Sequence, residues 1–229
     1  MYMNRIKNLM AVAIVAVASV VATSANAALI SGVTATTSSE ITHGCCSDRD
    51  PVDMVNMGGL TAGGTHGVHD VVAANMWLSA GDGGFGGTDT DPWAMFDLGD
   101  VYKIDSFHVW NYNEAGAFAT RGVDSVSVEY GTTAALGSTV AGINSFAIAT
   151  GAASDPGEDF NGFAPFVGRY VKFDINSHHT GGDNNFYGLS EVQFFGELFT
   201  GGNAVPEPAT ATLALLGLGG LMTRRRRNA

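Results

Sequence analysis

Ser106-Phe107-His108-Val109-Trp110-Asn111-Tyr112 is the stretch on which the fold turns. In an extended chain successive side chains point to opposite faces, so Phe107, Val109 and Asn111 share one face and His108, Trp110 and Tyr112 the other. Large groups on both faces mark a central strand that is covered on each side. Ser125 to Tyr130 reads differently: Val126, Val128 and Tyr130 alternate with Ser125, Ser127 and Glu129, so one of its faces is expected in solvent. Further β-rich runs lie at Trp93 to Leu98, Ser145 to Ala149, Tyr170 to Ile175 and Ser190 to Phe195, separated by Gly, Asp and Asn clusters. No long segment between 28 and 204 spaces its apolar residues helically. The pattern predicts an all-β chain, an antiparallel β-sandwich. Trp93, Phe96 and Leu98 are expected to supply buried area, and Asp97-Leu98-Gly99-Asp100 to turn the chain into the next strand. Residues 79 to 91 are too rich in Gly and Asp to pack and are expected as an exposed loop. Within them, the Gly83 to Asp89 stretch is a single copy of a calcium-binding type of repeat that works by tandem stacking, so it reads as loop.

The two ends specify export. Arg5 and Lys7 precede an apolar run from Leu9 to Val21, and Ala25-Asn26-Ala27 fits a small-x-small cleavage site, so residues 1–27 read as a signal peptide. At the other end, Val205-Pro206-Glu207-Pro208 is followed by the apolar run Ala209 to Met222 and by Arg224-Arg225-Arg226-Arg227. The run is shorter than the roughly twenty residues of a stable spanning helix, and the arginines resist translocation. It therefore reads as a transient inner-membrane anchor. This tail, residues 205–229, resembles the PEP-CTERM sorting signal, which implies processing by an exosortase and delivery to the cell surface or extracellular matrix. Residues 200–204 read as a linker, leaving 28–199 as one domain.

Between the two signals, five Lys and Arg face 21 Asp and Glu, a net −16. Five scattered cations cannot neutralise a phosphate backbone, which excludes nucleic acid as a partner. Acidic polysaccharides are disfavoured for the same reason, while neutral glycans and divalent cations remain open. The two cysteines, Cys45 and Cys46, are adjacent. With Cα atoms about 3.8 Å apart, a vicinal disulfide would be strained. In an oxidising compartment it competes with intermolecular bridges and a capped thiol pair, and a metal site with His43 stands as a further alternative.

Three segments in register carry a second resemblance: Pro92 to Gly99, Val109 to Glu114 with Arg121-Gly122-Val123, and Tyr187 to Gly196. Together they are similar to bacterial discoidin (coagulation-factor-type C) domains over residues 55 to 197. The resemblance implies a galactose-binding-like jelly roll with one calcium under the sandwich. A glutamate at the last segment, here Glu191, would bind it together with an early loop, here Asn56 to Leu60, with Asp70 as a further ligand. Asn56-Met57-Gly58 departs from the usual Asp-Gly type turn. Glu191 also stands out on its own, as a carboxylate interrupting an apolar strand that needs a partner.

A glycan site needs an aromatic face and a few hydrogen-bonding groups. If the loops Asn113 to Arg121 and Ser177 to Tyr187 open at one end of the sandwich, Asn113, Glu114, Phe118, Arg121, His178, His179, Asn185 and Tyr187 converge there. The alternative for Arg121 is simple pairing with Glu114 or a nearby Asp. No nucleophile elbow, His-Glu-x-x-His or phosphate loop is present in the sequence, so no enzymatic activity is expected. The sequence thus predicts an exported, non-catalytic, calcium-stabilised glycan-binding protein, with an adhesive matrix protein that binds other proteins as the alternative.

Overall fold

The computed structural model describes residues 27–41, 49–61, 66–81, 86–180 and 185–201. The signal peptide before Ala27, His43, Cys45 and Cys46, residues 82–85 of the Gly-rich loop, and the sorting tail all lie outside the described residues. Among the described residues there are eleven strands: β1 (Ala28–Leu29), β2 (Thr34–Thr37), β3 (Leu60–Thr61), β4 (Val68–His69), β5 (Trp77–Leu78), β6 (Trp93–Asn111), β7 (Val123–Gly131), β8 (Ser138–Thr139), β9 (Glu158–Phe160), β10 (Phe166–His178) and β11 (Gly188–Leu198). The described helical segments are 3-10 turns at Pro51–Met54, Ala73–Asn75 and Gly116–Arg121. Among the described residues no helix is long and apolar enough to cross a membrane.

All the strand pairs are antiparallel, and nine strands join one sheet in the order β1-β11-β6-β10-β7-β8, with β2 and β9 on β6 and β5 on β11. The sheet folds over on itself about β6. Phe96 and Phe107 stand eleven residues apart, about 36 Å in a straight strand. Yet Phe96 lies 5.1 Å from Phe173 and 5.2 Å from Phe194, and Phe107 lies 5.7 and 5.9 Å from the same two rings. The two limbs of the strand therefore face each other across one core, as in a β-sandwich. Valines 123, 126, 128, 171 and 192 and Phe146 fill the same core.

The second half of β6 is buried on both faces, as the alternation predicts: His108, Trp110 and Tyr112 are as enclosed as Phe107 and Val109. The cover on the outer face is the segment before β4, whose Gly67 carbonyl accepts a hydrogen bond from Trp110 Nε1 at 3.1 Å. Strand β11 is likewise buried on both faces, Glu191 and Gln193 included.

Four expectations are corrected. Asp97 to Asp100 does not turn the chain, because β6 runs through it; Gly99, at φ +85°, takes a left-handed bend that an L side chain rarely adopts, and the ladder continues. Trp93 is only half-buried, because its separation from Phe96 and Leu98 is odd and the pleat sends it to the outer face. Ser145 to Ala149 forms only the single bridge Ser145 to Ser125. Its backbone is taken up by side chains instead: Asn111 Nδ2 donates to the Ala147 carbonyl at 2.8 Å and Glu158 accepts from the Ala147 N–H at 3.0 Å. Ser79 to Gly81 is buried rather than exposed, because Ser79 Oγ accepts the Tyr187 N–H at 2.9 Å and the Phe186 ring lies against Gly81.

Candidate functional site

The loops that follow β6 and β10 do open at one end. A bridge between Gly122 and Gly188 and a hydrogen bond from the His179 N–H to the Gly122 carbonyl, 3.1 Å, tie them together. Asn111, the last residue of β6, stiffens this end: its Nδ2 donates to the Val123 and Ala147 carbonyls, and its Oδ1 accepts from the Val123 and Tyr112 N–H groups.

Glu114 is the hub of the charged cluster there. Its Oε2 accepts from Tyr112 Oη at 2.6 Å and from Arg49 Nη1 and Arg121 Nη1 at 3.1 Å each. Arg49 also donates to the Tyr112 hydroxyl. Burial first, and then the Glu114 charge against the opposing pull of Arg49, push the Tyr112 phenol far above its ordinary range, so it stays a donor. The Arg121 guanidinium lies 4.4 Å from the Phe118 ring centre and 4.9 Å from that of Phe186, within cation–π range. Phe118 remains 43% exposed, a large apolar ring open to solvent beside polar groups.

The other sequence-chosen residues divide into three. The His178 ring meets Tyr187 edge-on at 5.4 Å, and His179 Nδ1 sits 3.6 Å from Asp124. Burial, and next the Asp89 charge, raise the Tyr187 phenol. Asn185 holds a left-handed conformation, φ 70°, in the same loop. Asn113 is fully buried and faces inward: its Nδ2 donates to the His69, Asp70 and Ala152 carbonyls, and its Oδ1 accepts the Gly151 N–H. That asparagine pins three loops rather than facing solvent. Arg49 and Phe186 were not among the sequence-chosen residues; the signal available for Arg49 was its rarity, as one of five cations in the domain.

Glu191 lies on the outer face of β11, 1% exposed, and its Oε2 accepts the Met57 N–H at 3.0 Å. Burial raises its pKa from 4.5 to about 8, against the lowering effect of the Met57 hydrogen bond and with a further push from the Asp53 charge. Among the described residues no Lys or Arg pairs with it. Asn56, next in the chain to Met57, donates to Asp53 at 2.9 Å and accepts the Gly58 N–H at 2.6 Å. The Asp70 carboxylate closes its own turn on the Val72 N–H and Asn75 Nδ2, while its N–H reaches the Gly59 carbonyl. The Met57 and Gly59 carbonyls accept the Leu60 and Asp70 N–H groups, and what Glu191 offers is a buried carboxylate with the Asp53 charge nearby and no paired Lys or Arg among the described residues. That chemistry fits a hard divalent ion. A separate open groove of 610 Å³ lies on the outer face of the sandwich, among Trp93, Met95, Glu129, Lys172 and the turn 134–139.

Residues 204–227 match the PEP-CTERM protein-sorting motif, which marks an exported chain with a C-terminal sorting signal. No curated protein matches the chain. Among solved structures, the chain is similar to CBM32-3 from a family 31 glycoside hydrolase of Clostridium perfringens, with 15% identity, a TM-score of 0.48, and coverage of 75% of this chain and 95% of that one. It is similar to a fucose-binding module of Streptococcus pneumoniae, with 16% identity, a TM-score of 0.48, and coverage of 75% and 96%. A third similar structure is the lectin domain of lectinolysin complexed with Lewis B antigen, with 18% identity, a TM-score of 0.48, and coverage of 73% and 95%.

Proposed function

We propose that this protein is a non-catalytic glycan-binding module, sorted through its C-terminal signal by an exosortase to the cell surface or extracellular matrix. The observation that carries the reading is Phe118, an aromatic ring 43% exposed at a loop end where Arg121 and Glu114 stand beside it and His178 and Tyr187 lie on the neighbouring loop. Sugar C–H groups stack on such a ring while hydroxyls reach the charged and polar groups around it. Arg121 occupies one side of Phe118, so the sugar takes the solvent side. The net −16 of the domain favours a neutral glycan over an anionic one.

Calcium belongs to the same proposal. Glu191, Asn56 and the carbonyls of the turn that follows would hold it, with Asp53 contributing charge and Asp70 bracing the turn through Gly59. Its positive charge would keep Glu191 ionised in its buried position. Glu191 and the Asn56 turn would then be tied together, holding the cover over β11 and β6.

Titration of the purified protein with neutral, galactose-like sugars tests the reading. Weak binding is expected, lost in Phe118→Ala with an unchanged melting temperature and retained in Trp93→Ala. The reverse result moves the site to the groove on the sandwich face. Absence of any glycan binding, with binding to matrix protein intact, replaces this reading with the adhesive one.

A further inference from the structure

His108 has a hydrogen-bond pattern that one neutral imidazole cannot satisfy. Its Nε2 lies 2.9 Å from the Pro156 carbonyl oxygen and its Nδ1 lies 2.7 Å from Asp159 Oδ1. A carbonyl and an ionised carboxylate are acceptors only, while a neutral histidine carries one N–H. If Nε2–H donates to Pro156, the Nδ1 lone pair faces a carboxylate lone pair. The 2.7 Å contact therefore needs a proton, on the ring or on the carboxylate, or else a metal ion that displaces it and moves the two donors apart to about 3.4 Å.

The surroundings favour a metal. Donation of one ring N–H to a backbone carbonyl is how metal-binding histidines are oriented, leaving the other nitrogen as the ligand. A third donor is at hand: the His66 ring stacks on His108 at 5.1 Å and 25°, and ligand atoms from His66, His108 and Asp159 all lie within 4.8 Å of one another. The frame is built in. Strand pairing sets Asp159 of β9 directly opposite His108 of β6. Trp110 packs on the His108 ring at 4.0 Å. Gly157, at φ +68°, allows the Pro156 turn to close on the ring, since a Cβ there would come within 2.3 Å of His108 Nε2. His108 is buried at 5% exposure, whereas His66 and Asp159 reach solvent, so the site is anchored on the inside and open on the outside.

We propose that His66, His108 and Asp159 form a binding site for a borderline transition-metal dication of the zinc class. Two imidazole nitrogens and one carboxylate oxygen, with a position left for water, suit zinc and its neighbours rather than calcium, which takes oxygen ligands. The site is independent of Glu191 and of the glycan reading.

The experiment is calorimetric titration of zinc chloride into the chelator-stripped full chain carrying Cys45→Ser and Cys46→Ser, so that thiols do not compete. Saturable one-site binding is expected, undisturbed by millimolar calcium and unchanged by Glu191→Gln. His66→Ala and Asp159→Asn are each expected to raise Kd about tenfold or more, with the metal-free melting temperature of His66→Ala unchanged. No saturable zinc binding, or binding undiminished in both variants, would overturn the proposal and leave a proton between His108 and Asp159.

Discussion

Glu191 is where burial and charge conflict most openly, and the conflict can be measured. Its carboxyl ionises at about 8 in the folded chain against an ordinary 4.5. Between those values the native state holds a proton that the unfolded chain has released, so unfolding free energy falls as pH rises. The stabilisation is fully present below about pH 4.5 and is lost as pH rises through 8. Each pKa unit corresponds to about 1.4 kcal/mol, so the 3.5-unit gap between 4.5 and 8 amounts to on the order of 5 kcal/mol. Glu191→Gln removes the ionisation while keeping an acceptor for the Met57 N–H. In chelator, the stability of wild type relative to that variant is therefore expected to decline by several kcal/mol between pH 4.5 and 9, read by urea unfolding with tryptophan fluorescence. At pH 9, calcium at a hundredfold excess over Kd should stabilise wild type by about 2.7 kcal/mol, offsetting about half of the decline, and should leave the variant unchanged. Parallel pH profiles in chelator would refute the electrostatic reasoning. A full calcium shift in the variant would refute the assignment of the ion to Glu191.

Asn113→Ala should lower stability by about 3 kcal/mol, since it strands buried groups of two other segments, 69–70 and 151–152; a change under half that in urea unfolding would deny the pinning role. Replacing Arg224 to Arg227 with Ser, or Glu207 with Ala, should leave uncleaved precursor in the inner membrane, detected by immunoblot of membrane fractions; normal surface release of both variants contradicts the sorting account.

Periodicity made the long strands legible. Trp93 to Leu98, Ser106 to Tyr112, Ser125 to Tyr130, Tyr170 to Ile175 and Ser190 to Phe195 fall in β6, β7, β10 and β11, apart from Tyr112, one residue past the end of β6. What periodicity did not convey was continuity: Asp97-Leu98-Gly99-Asp100 has the composition of a turn, and only the left-handed bend at Gly99 reconciles it with an unbroken strand. Ser145 to Ala149 has strand composition, but after the Phe146 N–H pairs with the Asp124 carbonyl the Ala147 N–H and carbonyl turn to side chains, Glu158 and Asn111, which no local pattern announces. The candidate site was legible in part for the same reason. Glu114, Phe118 and Arg121 lie within eight residues and meet, whereas Arg49 reaches Glu114 from 65 residues away. Asn113 resembles any polar loop residue in sequence, and its burial follows from the loops that close over it. The juxtaposition of His66, His108 and Asp159 depends on the β6–β9 register, which lies beyond short-range pattern.

The proposed recognition of a neutral glycan by the loop end around Phe118, on a calcium-braced scaffold, can be put to one decisive measurement. Glycan-array binding of the purified protein, in calcium and in chelator, tests it most directly. The account predicts selective retention of neutral, galactose-like glycans in calcium, weakened by chelator and absent for anionic chains. An array blank in calcium, or a signal confined to anionic polysaccharides, would contradict it.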